Sequence, residues 1–288
     1  MSAQPVAGQA VGRQLHKFGG SSLADVKCYL RVAGIMAEYS APGDMMVVSA
    51  AGSTTNQLIS WLRLSQTDRI SAHQVQQALR RYQSELITGL LPAELAEPLV
   101  VLFTQDLERL AALLDEPMCD ATYAEVVGHG EIWSARLMSA LLNVKGMESE
   151  WLDARSFLRA ERSAQPQVDE GRSYPLLQQL LAQHPNKRLV ATGFICRNDA
   201  GETVLLGRNG SDYSATQIGS LAGVSRVTIW SDVAGVYSAD PRLDPGAVKY
   251  DTITYDDVLA QHLQVMDSTA TSLSMDNSIP VILFALED

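Results

Sequence analysis

Short apolar runs with strand character alternate along this chain with amphipathic helical stretches, and this alternation limits the fold more than any other feature. The predicted strands cover residues 14–18, 44–50, 150–153, 188–192, 203–206, 226–230 and 280–285. Apolar residues at spacings of three and four predict helices between most of these strands, at 23–37, 174–183, 212–222 and 267–275. Strands that alternate with helices favour a largely parallel sheet covered by helices on both faces. The sequence therefore predicts a layered α/β fold.

The region between the second and third predicted strands is dominated by helix formers, from about residue 57 to 145. A turn at 198–201 predicts that the strand at 203–206 is the return arm of a hairpin. We find no internal repeat and no low-complexity linker in the sequence. We therefore expect one domain, residues 13–288, preceded by a flexible polar extension, residues 1–12.

Composition excludes several classes of protein. With 46% hydrophobic residues in a 288-residue chain, a sizeable core can form and disorder is excluded. The formal net charge of −11 and the lack of a basic cluster argue against a nucleic-acid partner. No apolar run approaches the roughly 20 residues of a membrane helix, so we expect no membrane partner. Three cysteines without CxxC spacing indicate a reducing compartment, and we expect the cytoplasm.

The first glycine-rich segment, KFGGSS at 17–22, follows the first predicted strand. Gly19 and Gly20 let the backbone approach a bulky anion, and the amides at a helix start point towards it. Lys17 can neutralise charge that moves between phosphates. The alternative is a plain glycine turn with a surface lysine. The segment is not a Walker A loop, because GxxxxGK[ST] is absent from the chain.

Two further segments, SAAGSTTN at 49–56 and GHGE at 128–131, lie next to predicted strands or helices. Ligands of open α/β sheets gather at the carboxyl ends of strands, where the first of these lies. GHGE precedes a predicted amphipathic helix, and Trp133 stands where a dinucleotide fingerprint needs its third glycine. Glu131 could merely compensate the helix dipole, and we interpret His129 as structural.

The last two segments are GRNGSD at 207–212 and WSDVAGVYSADPR at 230–242. An Arg, a Ser and an Asp between glycines can clamp a carboxylate and organise a phosphoryl group, although Ser211 or Asp212 could be only a helix cap. In the second segment, Tyr237 could flank a nucleotide and Arg242 contact phosphates, or the segment is a turn with a packed tyrosine. Each segment alone is weak evidence for a ligand-binding site. Together, at the ends of predicted strands, the segments are strong evidence for one.

Taken together, KFGGSS, GHGE, GRNGSD and WSDVAGVYSADPR resemble the aspartate kinases of the amino acid kinase superfamily over about residues 13–242. The chain is most similar to the kinase part of the methionine-linked bifunctional aspartokinase–homoserine dehydrogenases. The resemblance implies an αβα sandwich with a mainly parallel central sheet, and ATP-dependent phosphorylation of the L-aspartate side-chain carboxylate with Mg²⁺. This is the first step of the pathway to the aspartate-derived amino acids. The implied partners are L-aspartate and ATP, with a homo-oligomer as one option.

The resemblance also implies a role for individual residues. Lys17 and Asp212 would be catalytic, at the transferring phosphoryl group. The implied substrate-binding residues are Thr55, Glu131, Arg208 and Ser211, with Arg208 on the α-carboxylate and Glu131 on the ammonium. The implied nucleotide-binding residues are Gly19, Gly20, Ser21, Ser231, Asp232, Tyr237 and Arg242. No protein residue is expected to be a dedicated metal ligand. A carboxylate acceptor is already an anion, so the absence of a convincing catalytic histidine fits this chemistry.

From about Leu243 the sequence departs from the aspartate kinases, and residues 243–288 resemble the C-terminal part of bacterial UMP kinases. We expect this tail to complete the same domain. Neither a regulatory module of the ACT type nor a homoserine dehydrogenase part follows, so we expect no allosteric amino-acid control and no second activity. Two alternatives remain open: a UMP kinase, or a non-catalytic ligand-binding scaffold, natural or engineered.

Overall fold

The computed structural model describes residues 12–207, 210–231, 235–239, 243–244, 246–261, 263, 266 and 268–286. Within these residues the strands are β1 (Gln14–Phe18), β2 (Met45–Val48), β3 (Ser149–Leu152), β4 (Arg188–Thr192), β5 (Ile195–Arg197), β6 (Thr203–Leu205), β7 (Arg226–Ser231), β8 (Val236–Tyr237), β9 (Lys249–Tyr250) and β10 (Val281–Ala285). Six of them form one sheet in the order β10-β7-β1-β2-β4-β3, and all five pairings are parallel. The predicted parallel sheet is therefore confirmed.

Helices cover both faces of this sheet. They are α1 (Val26–Tyr39), α2 (Thr54–Ser65), α3 (Arg69–Leu90), α4 (Ala93–Leu113), α5 (Asp120–Val127), α6 (His129–Val144), α7 (Glu170–Gln183), α8 (Gly210–Ala222), α9 (Tyr255–Ala260) and α10 (Ser268–Asp276). Helices α2 to α6 fill the region that the sequence predicts to be helical. Two short antiparallel pairs, β5–β6 and β8–β9, lie outside the main sheet, and the first is the predicted hairpin.

Two of the helices that carry predicted site residues begin earlier than predicted. Helix α6 starts at His129, so GHGE forms the first turn of the helix instead of preceding it. Gly128 keeps helical backbone angles, φ −77° and ψ −5°, and it connects α5 to α6 without an extended residue. Helix α8 starts at Gly210 instead of Ser211 or Asp212. As a result, Glu131 and Asp212 both lie in the first turn of a helix, where the helix dipole favours a negative charge.

Alternation along the central strand β1 places the two hydrophobic cores. Phe18 belongs to the core that contains side chains of α1, α3, α4 and α6, whereas Leu15 belongs to the core that contains side chains of α7 and α8. Both side chains are fully buried. Burial of a side chain of this size stabilises the fold by about 1.5–3 kcal/mol. The molecule is thus a three-layer αβα sandwich, as the resemblance implies.

The carboxyl ends of the parallel strands meet at one edge of the sheet, and the glycine-rich segments follow them there. Lys17 pairs in register with Val47 on one side and with Ile229 on the other. Among the helices of the described residues, none is long and apolar enough to cross a bilayer.

Candidate active site

A cavity of about 750 Å³ opens at the carboxyl edge of the sheet. Its walls come from six parts of the chain: the segments after β1, β2 and β4, the end of β6, the helices α5 and α6 near their junction, and the start of α8. The lining residues include Gly20, Ser49, Ala50, Gly52, Thr55, Asn56, Ile59, Tyr123, Val127, Glu131, Phe194, Leu205, Gly207, Gly210 and Ser211. The cavity therefore lies where open parallel sheets bind their ligands.

Two loops meet at the floor of this cavity, and we call residues 19–24 the first loop and residues 49–56 the second loop. The amide of Gly52 donates a hydrogen bond of 2.9 Å to the carbonyl of Gly20. A Cβ atom on Gly20 would lie 2.8 Å from the carbonyl oxygen of Ala50, closer than real Cβ contacts. Glycine is thus required at position 20, because the two backbones touch there.

Lys17 and Asp212 form an ion pair beside the cavity. Nζ of Lys17 lies 2.6 Å from Oδ1 of Asp212, and only 11% and 17% of the two side chains are exposed. Lys17 shares its face of β1 with Leu15, so it faces α8, and Asp212 lies in the first turn of that helix. The amides at the start of a 13-residue helix and the nearby ammonium together favour an anion.

Ser211 connects the start of α8 to the second loop. The hydroxyl of Ser49 donates a hydrogen bond of 2.9 Å to Oγ of Ser211. Gly193, just after β4, makes room for this contact, since a Cβ atom there would lie 2.8 Å from Cβ of Ser211. Three hydroxyl groups from two chain segments can therefore surround one small ligand, because Thr55 in the first turn of α2 also lines the cavity.

Glu131 is a carboxyl group buried in the wall of the cavity, with 3% of the residue exposed. The amide of Ala50 donates a hydrogen bond of 3.2 Å to Oε1, whereas Oε2 has no hydrogen-bond partner. Burial raises the pKa of Glu131 to about 8, because the charged form loses its hydration. An unpaired carboxyl oxygen at a cavity wall is suited to a cation or to a hydrogen-bond donor of a ligand.

His129, two residues before Glu131, is not among the residues that line the cavity. Its Nδ1 lies 2.8 Å from the carbonyl oxygen of Glu125, and its Nε2 lies 2.7 Å from Nη2 of Arg109. Burial lowers the pKa of His129, which keeps the ring neutral. This agrees with its interpretation as a structural residue.

Among the predicted nucleotide-binding residues, Gly19, Gly20 and Ser21 follow β1 and Ser231 ends β7, at the same edge of the sheet. Gly19 precedes the contact between the two loops, and Ser21 is exposed in a single turn of 3-10 helix, Ser21–Leu23. Ser231 ends β7, whereas Tyr237 lies half-buried in β8 opposite Lys249 and does not line the cavity. Arg208, Asp232 and Arg242 lie outside the described residues, so their roles stay predictions.

The cavity also contains residues that the sequence did not single out, above all Tyr123, Phe194 and Ser49. Phe194 has a φ of 66°, a left-handed conformation that is unusual for a bulky residue. Its amide donates to Oγ of Ser214 and its carbonyl accepts from the amide of Leu206, both at 2.8 Å. No local sequence signal predicts such a residue, since long-range hydrogen bonds hold it in place. Ser49, in contrast, begins the segment SAAGSTTN and could have been selected from it.

Comparison with known proteins gives consistent matches. The chain is 83% identical over 233 residues to the bifunctional aspartokinase/homoserine dehydrogenase 2 of Escherichia coli, which covers 81% of this chain and 29% of that protein. The chain thus spans less than a third of the length of this relative. The crystal structure of E. coli aspartokinase III in complex with aspartate and ADP is 26% identical and covers 96% of this chain and 62% of that one, with a TM-score of 0.87.

A more distant structure, the UMP kinase of Ureaplasma parvum, is 14% identical, covers 97% of this chain and 92% of that one, and has a TM-score of 0.54. At this identity the likeness shows the fold alone. The model of the amino acid kinase family matches residues 12–288. These matches confirm the resemblance to aspartate kinases that the glycine-rich segments suggest. The chain belongs to the amino acid kinase family.

Proposed function

We propose that this chain transfers the γ-phosphoryl group of ATP to the side-chain carboxylate of L-aspartate and so forms 4-phospho-L-aspartate. The observation that carries the proposal is the Lys17–Asp212 pair at the start of α8, beside a cavity whose wall holds the buried carboxyl of Glu131. The names of the relatives support it, because both the E. coli bifunctional enzyme and aspartokinase III are aspartokinases.

In this reaction a carboxylate oxygen of aspartate forms a bond to the γ-phosphorus, and the bond from that phosphorus to the bridging oxygen of ADP breaks. No proton has to be removed from the acceptor, so no general base is needed. Lys17 holds a positive charge near the moving phosphoryl group, and Asp212 keeps the ammonium in place. Such preorganised charge is most effective where it meets the charge that develops in the transition state.

The acceptor side of the cavity suits an amino acid. Glu131 would pair with the ammonium through Oε2, the oxygen without a partner. Thr55 and Ser211 supply hydroxyl groups at the cavity wall, and Arg208 would hold the α-carboxylate as a bidentate clamp. A UMP acceptor fits less well, because its phosphate dianion would face the carboxyl of Glu131 inside the cavity.

On the nucleotide side, we assign the phosphates of ATP to the amides of Gly19 and Gly20 and to Ser21. Ser231, Asp232, Tyr237 and Arg242 complete the assignment of nucleotide-binding residues. Within the described residues there is no group of three His, Cys, Asp or Glu side chains that could hold a metal ion. Mg²⁺ in phosphoryl-transfer sites binds through one or two carboxylates and the substrate phosphates, so Asp212 together with the phosphates of ATP would hold it. When bound, Mg²⁺ would neutralise charge on the phosphates.

We place this reaction in one kinase domain, residues 13–288, in which 13–242 is the aspartate-kinase-like part and 243–288 the UMP-kinase-like tail. We assign the protein to the cytoplasm, since Cys28, Cys119 and Cys196 are all free thiols. A homo-oligomer is compatible with this assignment.

A coupled assay of ADP release, with aspartate and UMP tested side by side, examines the proposal. We expect release that depends on aspartate and ATP together, with no response to UMP. Release that depends on UMP would favour the UMP kinase alternative. An inert protein that still binds either compound would favour a non-catalytic scaffold.

A further inference from the structure

Helix α3 lies outside the cavity but contacts both loops that form its floor. Among the described residues that line the cavity, none belongs to α3. The hydroxyl of Tyr82 nevertheless donates a hydrogen bond of 2.9 Å to the carbonyl of Ala24, at the end of the first loop. The next residue, Gln83, donates from Nε2 to Oγ1 of Thr54 in the second loop, at 3.0 Å.

The contact of Gln83 is buried and continues into the backbone of the second loop. Only 2% of Gln83 is exposed, and Thr54 is fully buried. Because its hydroxyl hydrogen goes to the carbonyl of Ala51 at 2.6 Å, Thr54 can only accept from Gln83. A buried carboxamide is costly to desolvate unless it is hydrogen-bonded, so the free energy of this side chain depends on the contact. Thr55, which lines the cavity, directly follows the residue that Gln83 holds.

Tyr82, the residue before Gln83, also lies close to the second loop. A Cβ atom on Gly52 would lie 2.8 Å from the hydroxyl oxygen of Tyr82. This hydroxyl therefore lies between the first loop, to which it donates, and the backbone of the second loop at Gly52. Burial raises the pKa of Tyr82 to about 12, so the hydroxyl keeps its proton and remains a donor. Together, the two neighbouring side chains thus contact both of the loops that the Gly20–Gly52 hydrogen bond joins.

We propose that Gln83 and Tyr82 are positioning residues that hold the second loop against the first, and so set the distance between the acceptor and the phosphoryl donor. This inference rests on the proposed function, in which the second loop carries Thr55 and the first loop carries Gly19 and Gly20. In-line transfer needs the reacting atoms at about 3–3.5 Å, and a misplacement of about 1 Å can cost roughly 10²-fold in rate. A helix that touches neither substrate then influences catalysis through the loops that it holds.

The test compares Gln83→Leu, Thr54→Val and the double variant with Leu79→Val, a control one turn away in the core of the same helix. We expect Gln83→Leu to lower kcat/KM for aspartate about tenfold, through a lower kcat and a higher KM, because the acceptor is no longer held at its productive distance, and to change the KM for ATP less than twofold. The double variant should be no worse than the more affected single variant, because both substitutions remove the same contact. Leu79→Val should lower the melting temperature without changing either KM.

Hydrogen exchange provides a measurement that does not depend on activity. Amides of residues 50–55 should exchange faster in Gln83→Leu, and those of residues 19–24 faster in Tyr82→Phe, whereas amides of β4 should not change. If the parent protein shows no aspartate-dependent ADP release, the proposed function is wrong. The exchange rates would still decide whether Gln83 holds the second loop. The inference is overturned if Gln83→Leu keeps the parent kcat/KM for aspartate and the parent exchange rates, or if Leu79→Val reproduces its effects.

Discussion

The acceptor side and the nucleotide side of the site are built in different ways. On the acceptor side, titratable groups are buried and held by specific contacts: the Lys17–Asp212 pair at 2.6 Å and the Ala50–Glu131 hydrogen bond at 3.2 Å. On the nucleotide side, Tyr237 lies half-buried in a strand of two residues, opposite the exposed Lys249. The acceptor side therefore has the Lys17–Asp212 ion pair and the Glu131 carboxyl in place before a ligand arrives, whereas Tyr237 on the nucleotide side offers a half-exposed ring for contact.

This difference predicts where substitutions have large effects. A charge held in a low-dielectric environment stabilises a transition state far more than the same charge in water. A contact at a half-exposed side chain competes with water and contributes less. Substitutions on the acceptor side should thus change kcat or aspartate binding strongly, and those in β8 should change ATP binding weakly.

The largest effect is expected from Lys17→Met, which keeps much of the side-chain volume and removes the ammonium. We expect a loss of about 10²-fold or more in kcat, the scale for one preorganised electrostatic donor, with modest changes in KM. Lys17→Arg should also fail, because a planar guanidinium does not replace a compact ammonium beside Gly19. Steady-state kinetics of both variants measure this. Parent rates in both variants would mean that the buried Lys17–Asp212 pair is structural and takes no part in the reaction.

The second-largest effect is expected from Arg208→Ala. This variant tests the predicted clamp on the α-carboxylate, whose residue lies outside the described part of the chain. Loss of a bidentate carboxylate contact should weaken aspartate binding by about 2–4 kcal/mol, the range for truncating one partner of a buried charge pair. ATP binding should change little. Titration with each ligand separates the two effects, and unaltered aspartate affinity would remove Arg208 from the acceptor site.

Glu131 makes the acceptor side sensitive to pH. With its pKa raised to about 8, the free protein holds a proton on this carboxyl at neutral pH. Binding an ammonium requires the ionised form, so the KM for aspartate should fall as the pH rises towards 8. Glu131→Gln should raise this KM about tenfold, the scale for one hydrogen bond to a charged group, and should flatten its pH dependence. A wild-type KM and pH profile in the variant would show that Glu131 does not contact the substrate.

The same pKa shift has a consequence for folding. The folded protein retains a proton that the unfolded chain releases above its ordinary pKa of 4.5, so Glu131 makes the fold less stable as the pH rises from about 4.5 to about 8. Glu131→Gln removes this dependence. Denaturant unfolding of both proteins across that range measures the difference, and parallel curves would contradict the shift.

The smallest effect is expected from Tyr237→Ala, on the nucleotide side. Loss of one half-exposed aromatic contact should weaken ATP binding by about 0.5–1.5 kcal/mol, with no change in the KM for aspartate. Tyr174→Ala on α7 is the matched control, because that ring is 54% exposed and Tyr174 belongs to none of the predicted site segments. If Tyr237→Ala had an effect as large as that of Lys17→Met, the proposed difference between the acceptor side and the nucleotide side would be wrong.

Much of this fold could be predicted from the sequence, because the strands of a covered parallel sheet are near-continuous apolar runs. The strand predictions at 14–18 and 188–192 match β1 and β4 residue for residue. The glycine-rich segments indicated Lys17 and Ser211, and the resemblance to aspartate kinases implied the roles of Thr55 and Glu131. Thr55, Glu131 and Ser211 line one cavity and Lys17 lies beside it, at the edge where the carboxyl ends of the parallel strands meet.

Other features could not be predicted, because they depend on contacts between distant parts of the chain. Strand order is one of them, since the chain leaves β2 for about a hundred residues before β3 forms at the sheet edge. The left-handed backbone of Phe194 is another, since propensity argues against it and tertiary hydrogen bonds impose it. The contact from Gln83 to Thr54 joins residues 29 positions apart. A glutamine in a helical pattern is usually exposed, so no sequence pattern distinguishes Gln83 from an ordinary surface residue.

The most direct test of the central claim identifies the bond that the acceptor forms. An acyl phosphate reacts with hydroxylamine to give a hydroxamate, whereas a phosphate ester or anhydride of a nucleotide does not. We expect a mixture of this protein, Mg·ATP, L-aspartate and hydroxylamine to accumulate aspartyl hydroxamate in step with ADP, and to form none with UMP or with Lys17→Met. ADP release without hydroxamate, or equal hydroxamate formation by Lys17→Met, would contradict the account of a carboxylate kinase centred on the Lys17–Asp212 pair.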